Sequence, residues 1–281
     1  MSIKRMIIVL VICQIFQLAF RASHTKNKII IFDVGQGDSI MIDFDNKKVI
    51  IDGGSNWDLD QYLENMFIFP FCKLEMMFVT HPQYDHITGL KRMLERCNVN
   101  NVVFNVVPYK SNTYHDFLVK LETYSKTNKV GQFDQKVVEG DTYEFGEMKL
   151  ITLWPTERFI STLKKSENIN NISTVLFLDY KDYEAIFTGD IEEKALNRVN
   201  FDSVIKYIDG PLDLYKVSHH GAINGLSKKV LLQLKPQTCV ISVGKDNRYN
   251  HPDPVVLDFL SQINCEVRRT DLEGTIEFEL H

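Results

Sequence analysis

The sequence carries the run THPQYDHITGL at residues 80–90, where an apolar stretch at residues 74–80 ends. The apolar stretch predicts a buried strand, and residues 87–97 have the periodicity of a helix. The polar positions therefore lie in a loop at the carboxyl end of a strand, which is where open α/β sheets bind their ligands. Imidazole and carboxylate groups together suit divalent ions such as zinc, manganese or iron. The run thus predicts a metal-binding loop that contributes His81, Asp85 and His86.

Other predicted strands also end in a carboxylate or an imidazole. The strands at residues 47–52, 184–187, 212–217 and 238–243 supply, in this order, Asp52, Asp190, the pair His219 and His220, and His251. Five of the eight histidines of the chain consequently fall in strand-end loops. Separate loops that converge on one edge of a sheet are a common way to assemble a metal centre, so we expect one site rather than several.

Two carboxylates near glycine-rich turns leave alternatives open. Asp38 follows the turn at residues 35–37, and Asp52 precedes Gly53 and Gly54. Each could belong to the site, or could form hydrogen bonds within its own turn.

Length and composition are those of a soluble globular protein. The 281 residues are 44% hydrophobic and 25% charged, which is enough for one large α/β domain or two small ones. The formal net charge of −5 excludes a broadly basic surface. A nucleic-acid partner would have to be bound by local clusters of lysine and arginine, or by the metal.

The amino terminus has the order of an export signal. Lys4 and Arg5 precede an apolar run at residues 6–20, which is short for a membrane span. We therefore predict that residues 1–27 are a signal peptide or a retained N-terminal anchor, and that the remaining chain is secreted, or lies in the periplasm or at the extracellular face. The four cysteines after this segment lack the CxxC spacing of structural zinc sites; export would permit disulfides, whose pairing stays open.

Six motifs, in this order, resemble the metallo-β-lactamase-fold domain of the ComEC competence proteins. They are DVGQGD at 33–38, DGG at 52–54, HPQYDHITGL at 81–90, TGD at 188–190, VSHHG at 217–221, and SVG at 242–244 with NHP at 250–252. The resemblance implies that residues 28–281 form an α/β domain, an αββα four-layer sandwich with its site at the top edge. In the ComEC proteins this domain accompanies a membrane channel and is thought to degrade one DNA strand during uptake. We therefore expect a free-standing, exported relative.

The chain departs from the superfamily pattern at the first of two metal positions. Gln83 stands where the HxHxDH run would have its second histidine, and Ser173 resembles the ComEC substitute for the third motif. The first position then offers His81 and a neutral amide, which is the weaker donor. The second is complete, with Asp85, His86, Asp190 and one histidine of the pair. We expect one or two ions of zinc or manganese.

Only one member of the histidine pair should bind metal, because adjacent residues of an extended strand point to opposite sides. We favour His220, because His220 and Gly221 resemble the last metal motif of the superfamily, and a shift of one residue would select His219 instead. His251 suits a proton donor or a phosphate contact, with an ordinary loop histidine as the alternative.

The resulting hypothesis is a metal-dependent hydrolase of phosphodiesters, with DNA or a small phosphodiester as substrate, in which Asp85 or Asp190 orients the attacking water. One alternative is a hydrolase of another ester or a lactam, such as a phosphorylcholine-type esterase, a lactonase or a β-lactam hydrolase. Another is a metal-binding module without catalysis. We predict no protein partner, and membrane contact only if the N-terminal segment is retained.

Overall fold

We describe the protein from a computed structural model. The structure describes residues 27–55, 72–127, 132–134, 136–163, 167–208 and 210–281. The predicted export segment at residues 6–20 and a helix predicted at residues 57–69 lie outside these ranges. Within them, no helix combines the length and the apolar character needed to cross a membrane.

Seven strands form the first sheet. In chain order they are β1 (Lys28–Ile31), β2 (Ile40–Phe44), β3 (Lys47–Ile51), β4 (Lys73–Phe78), β5 (Asn98–Val103), β6 (Gln132–Asp134) and β14 (Ile276–Glu279). Their spatial order is β14-β1-β2-β3-β4-β5-β6. The pairs from β14 to β3 are antiparallel, and the pairs from β3 to β6 are parallel.

The second sheet has the same organisation. Its strands are β7 (Thr142–Phe145), β8 (Met148–Trp154), β9 (Val175–Tyr180), β10 (Tyr183–Phe187), β11 (Leu214–Lys216), β12 (Thr238–Ile241) and β13 (Glu266–Arg269). The spatial order is β13-β12-β11-β10-β9-β8-β7. Strands β7 to β10 pair antiparallel, and β10 to β13 pair parallel.

Eight α-helices connect these strands in the described ranges. They are α1 (Tyr84–Arg96), α2 (Asn112–Thr127), α3 (Glu157–Ser161), α4 (Glu193–Leu196), α5 (Asp202–Ile205), α6 (Lys228–Leu234), α7 (Pro254–Gln262) and α8 (Thr270–Glu273). Short 3-10 turns occur at Ile169–Ile172, Ser218–Gly221 and Ile223–Gly225.

The alternation of side chains along the strands builds the layers. In β2, Ile40 and Ile42 pack in a core that also contains Leu176 and Leu178 of the other sheet. Met41, between them, packs in a second core with residues of α1, including Leu90. Because successive side chains of a strand point to opposite faces, each sheet is covered by the other sheet on one side and by helices on the other. This arrangement confirms the αββα sandwich.

One strand lies earlier than the sequence pattern indicated. The apolar residues at 102–107 favour a strand there, whereas β5 spans Asn98–Val103. Asparagine disfavours strands, and three of the six residues of β5 are asparagine. Pairing with β4 and β6 overrides that propensity, and Asn101 Nδ2 donates to the carbonyl oxygen of Glu75 at 3.1 Å.

The four cysteines of the described ranges form two disulfides. Cys72, directly before β4, bonds to Cys97 at the end of α1. Cys239 of β12 bonds to Cys265, directly before β13. Each bond therefore ties the start of one strand-helix unit to its end.

Candidate metal centre

The parallel halves of the two sheets bring the strand-end loops together. Asp52 follows β3, His86 follows β4, Asp190 follows β10, and His220 follows β11. All four residues are almost completely buried. Since the carboxyl ends of parallel strands share one edge of a sheet, loops that are distant in the sequence meet at this point.

The side chains converge on one oxygen atom. Asp190 Oδ2 lies 3.2 Å from His86 Nε2, 3.3 Å from His220 Nε2 and 4.0 Å from His81 Nε2. Asp85 Oδ2 lies 3.5 Å from His220 Nε2. The candidate ligand atoms of Asp85, His86, Asp190 and His220 all lie within 4.8 Å of one another.

The outer nitrogen of each histidine has an acceptor, which fixes the tautomer. His86 Nδ1 donates to Asp52 Oδ2 at 2.7 Å, and His220 Nδ1 donates to the carbonyl oxygen of Ser242 at 2.9 Å. The Thr80 hydroxyl donates to Asp52 and so accepts from His81 Nδ1 at 3.1 Å. Because each proton lies on Nδ1, each Nε2 presents a lone pair to the centre of the site.

Several of the nitrogen and oxygen atoms that face the centre of the site form no hydrogen bonds within the described residues. Over the described residues, the Nε2 atoms of the three histidines and Asp190 Oδ1 are buried and have no hydrogen-bond partner. Buried polar atoms are normally paired, so the group as a whole fits a bound cation. Nitrogen and carboxylate oxygen donors are those of zinc and related divalent ions.

The electrostatics of the site favour positive charge at the same point. Burial disfavours a charged imidazole, but the carboxylates of Asp190 and Asp52 outweigh it and hold the pKa of His86 well above its usual value. Asp190 acts in the same direction on the pKa of His220. A divalent ion satisfies this demand and leaves both imidazoles neutral. By contrast, burial and the nearby His86 lower the pKa of His81 to about 3.

The first metal position is the poorer one in the described residues. None of the groups of three or more histidine, cysteine or carboxylate ligands found there includes His81. Gln83 precedes α1 as its N-cap and makes no capping hydrogen bond. The Ser173 hydroxyl accepts from the backbone N–H of Asp190 at 3.1 Å, so it positions the aspartate. The number of ions that the protein holds stays a prediction.

The histidine pair adopts an unexpected backbone conformation. His219 and His220 have φ values of 50° and 55° in the 3-10 turn Ser218–Gly221, so the alternation of an extended strand does not apply to them. The turn nevertheless separates the rings. His220 is buried in the ligand group, whereas the His219 side chain is 20% exposed, with Nε2 4.0 Å from Asp190 Oδ2.

Sequence reasoning missed Lys216, the last residue of β11. Its side chain is fully buried, forms an ion pair with Asp38, and donates to the carbonyl oxygen of Gly189 at 3.1 Å. Its Nζ lies 3.9 Å from Asp190 Oδ1. Burial alone would raise the pKa of Asp38, but Lys216 and His220 lower it well below its usual value. Asp38 therefore belongs to the site, and a lysine in an otherwise apolar strand was the available signal.

His251 lies outside the ligand group. Its ring centroid is 6.0 Å from that of His219, and its side chain is partly buried. Burial and the neighbouring histidines His219 and His220 lower its pKa. The residue therefore lies at the mouth of the site as a neutral imidazole near pH 7.

Comparison with known proteins gives two curated relatives and a structural neighbour. ComE operon protein 3 of Bacillus subtilis is 27% identical over 90% of this chain and 33% of its own length. Recombination protein 2 of Haemophilus influenzae is 23% identical over 95% of this chain and 31% of its own length. The chain thus spans about a third of these relatives. The metallo hydrolase Igni18 of Ignicoccus hospitalis superposes with a TM-score of 0.53 at 15% identity, covering 90% of this chain and 100% of that one.

A family model covers most of the domain. The model of the metallo-beta-lactamase superfamily matches residues 32–245, a span that includes all four candidate ligands, Asp85, His86, Asp190 and His220. The two curated relatives confirm the likeness to ComEC-type proteins. On the family match and the αββα fold together, the chain belongs to the metallo-β-lactamase superfamily of metal-dependent hydrolases.

Proposed function

We propose that this chain is a metal-dependent phosphodiesterase that acts on DNA. The observation that carries the proposal is the buried convergence of three imidazole nitrogens on Asp190, since it provides a cation site. Asp85, His86, Asp190 and His220 would hold the ion. A divalent ion bound there would lower the pKa of a water molecule and stabilise the negative charge that develops on the oxygens of the attacked phosphate. Preference for DNA is supported by the likeness to ComE operon protein 3.

Exposure separates the roles of the two aspartates. The Asp190 side chain is 1% exposed, whereas that of Asp85 is 23% exposed. Of the four candidate ligands, Asp85 is therefore the one that solvent reaches. We assign Asp85 the orientation of the attacking water. We assign Asp190 the positioning of His86 and His220, whose imidazoles are neutral when an ion is bound. His251, a neutral imidazole at the mouth, would donate a hydrogen bond to a phosphate oxygen.

A second candidate is a metal-binding module without catalysis, which Gln83 favours. The glutamine amide is a weaker donor than the imidazole it replaces, and a single ion cannot clamp both the attacking and the leaving oxygen. Metal content combined with activity separates the two candidates. An active protein with one ion excludes the module, and a metal-loaded protein inactive on every phosphodiester supports it.

We also propose that the protein acts outside the cytoplasm, either secreted or held at the membrane by its N-terminal segment. The two disulfides support this location, because such bonds persist in oxidising compartments. Cell fractionation tests it, and full-length protein with reduced thiols in the cytosol would contradict it.

The decisive experiment measures hydrolysis and metal content on one preparation. Purified protein is assayed on single-stranded DNA, double-stranded DNA, a small phosphodiester, and a lactam, each with added manganese, with added zinc, and with a chelator. His86→Ala should abolish DNA hydrolysis and lower metal content. His115→Ala is the matched control, because His115 is exposed on α2. Hydrolysis of the lactam without hydrolysis of any phosphodiester would contradict the proposal.

A further inference from the structure

The loop between β12 and α7 presents an aromatic and cationic surface beside the candidate metal centre. We call it the Tyr249 platform, and it consists of Arg248, Tyr249 and His251. The rings of Tyr249 and His251 are stacked, with centroids 5.8 Å apart and an interplanar angle of 14°. The Arg248 guanidinium lies 4.9 Å from the Tyr249 centroid and donates to the Tyr249 hydroxyl at 2.7 Å.

The platform is continuous with the site. The His251 ring lies 6.0 Å from the His219 ring, and His219 Nε2 lies 4.0 Å from Asp190 Oδ2. A row of rings therefore leads from the ligand group to the loop surface. A substrate whose phosphate contacts a cation held by Asp190 would extend along this row.

The loop is held in place before any ligand binds. The Asn247 side chain donates to the carbonyl oxygens of Gly244 at 3.0 Å and His251 at 2.7 Å. It also accepts from the backbone N–H groups of Tyr249 at 3.2 Å and His251 at 3.0 Å. One side chain thus fixes both ends of the platform, which reduces the ordering cost of binding.

Contacts within the protein leave much of the Tyr249 platform exposed. Tyr249 remains 50% exposed in spite of its two neighbours, and Arg248 is exposed as well. The ring therefore keeps surface that a ligand can cover. Asp246 and Asp253 balance the formal charge of Lys245 and Arg248 on this loop, so the contribution of Arg248 comes from its guanidinium beside the Tyr249 ring rather than from the net charge of the loop.

Exposed aromatic rings combined with arginine bind the bases and the backbone of single-stranded nucleic acids. We propose that Tyr249, extended by Arg248, stacks the nucleobase next to the scissile phosphate of single-stranded DNA. This inference rests on the proposed phosphodiesterase function and specifies its substrate. A base within a duplex is already stacked and paired, so the duplex should be the poorer substrate.

The test uses substrates with a single phosphodiester, so that the scissile bond is known. These are the dinucleotide of two thymidines and two derivatives, each with an abasic residue on one side of the phosphate. Loss of the stacked base should lower kcat/KM of the wild-type protein by roughly 10-fold or more, and loss of the other base should matter less. Tyr249→Ala should lower kcat/KM for the complete dinucleotide by a similar factor, and Tyr249→Phe should restore most of it.

The effects on kcat/KM of removing the stacked base and of removing the Tyr249 ring should not multiply. In Tyr249→Ala, removing the stacked base should cost less than about threefold, because the ring that contacts it is already gone. Tyr207→Ala is the matched control: Tyr207 is 43% exposed and has Lys206 4.8 Å from its centroid, but it contacts Phe177 rather than the site. Thermal denaturation of both alanine variants checks that each is folded.

Binding of a fluorescent oligothymidine, measured by anisotropy, separates two kinds of failure. Wild-type protein that cleaves the dinucleotide while Tyr249→Ala behaves like Tyr207→Ala overturns the platform alone. The proposed role of the platform is also overturned if removal of the base lowers kcat/KM equally in the wild-type protein and in Tyr249→Ala. Wild-type protein that neither cleaves the dinucleotide nor binds the oligothymidine overturns the proposed DNA substrate, and the platform with it.

Discussion

Lys216→Met should destabilise the metal-free protein by roughly 3–5 kcal/mol at pH 7, because it removes one partner of a buried ion pair. Lys216 is fully buried and its partner Asp38 is 2% exposed, so water cannot replace the lost cation. The variant can escape by protonating Asp38. For a carboxyl group of ordinary pKa 3.8, that protonation costs about 4 kcal/mol at pH 7. The predicted loss of stability at pH 7 is therefore similar whether Asp38 stays charged without its lysine or takes up a proton.

The second route predicts a pH dependence with a definite sign. In the wild-type protein, Asp38 is ionised in the folded and unfolded states above about pH 5, so it contributes no slope there. In Lys216→Met, the folded state carries a proton that the unfolded state has lost, so the stability of the variant rises as the pH falls. The difference in the free energy of unfolding between the two proteins should shrink by up to about 1.4 kcal/mol per pH unit between pH 7 and pH 5, and by less where His220 and His86 keep Asp38 ionised.

The difference in the free energy of unfolding between the wild-type protein and Lys216→Met is measured by urea denaturation in a chelating buffer, followed by the fluorescence of the buried Trp154. The double variant Lys216→Met with Asp38→Asn should recover most of the loss, because it removes the carboxylate that Lys216→Met leaves without its lysine. Lys229→Met is the matched control at an exposed position of α6. A loss below about 1 kcal/mol at pH 7, or a gap that does not change with pH, would refute the reasoning.

Three further predictions concern single residues. Asp190→Ala should abolish metal binding and hydrolysis together and leave the circular dichroism unchanged, since Asp190 Oδ2 is the point of convergence; bound metal with retained activity would contradict this. Gln83→His should raise the metal content from nearer one ion toward two, as measured by elemental analysis, unless the wild-type protein already holds two tightly. Burial and the Asp213 carboxylate raise the pKa of Glu184 to about 7. Because the folded state then keeps a proton that the unfolded state loses above its ordinary pKa of 4.5, stability should fall as the pH rises from 4.5 to 7. Urea titrations should show that Glu184→Gln abolishes this fall, and a fall of unchanged size would rule it out.

The positions of the candidate ligands could be predicted because their signals are local. A carboxylate at the end of a strand is visible as an apolar run followed by an aspartate, directly at Asp52 and after two intervening residues at Asp190. The sheet order then brings these ends together without any further information in the sequence. β5 was misplaced for the complementary reason, since its asparagines are tolerated only because β4 and β6 pair with it on both sides.

The hydrogen-bond and ion-pair partners that hold the candidate ligands in position could not be predicted in this way. Lys216 is paired with Asp38, which lies far away in the sequence and in the other half of the fold. The acceptor of the His220 proton is the backbone carbonyl of Ser242, and any residue type at that position would supply it. Such partners determine which nitrogen of each imidazole faces the ion, yet they leave no pattern in the sequence.

The direction of the ligands depends on backbone conformations that sequence patterns disfavour. Asp52, His219 and His220 have φ values of 58°, 50° and 55°, in the left-handed region that costs a non-glycine residue about 1–2 kcal/mol. Strained residues persist where their surroundings over-determine them, and Asp52 accepts hydrogen bonds from Thr80 and His86 in this way. The strand-alternation rule, from which we expected only one histidine of the pair to bind metal, therefore does not apply to this turn. What turns the His220 ring toward Asp190 is the left-handed turn, fixed by the hydrogen bond to Ser242. Left-handed backbone at one candidate ligand, His220, and at Asp52, which orients a second one, His86, thus helps this fold to direct its ligands.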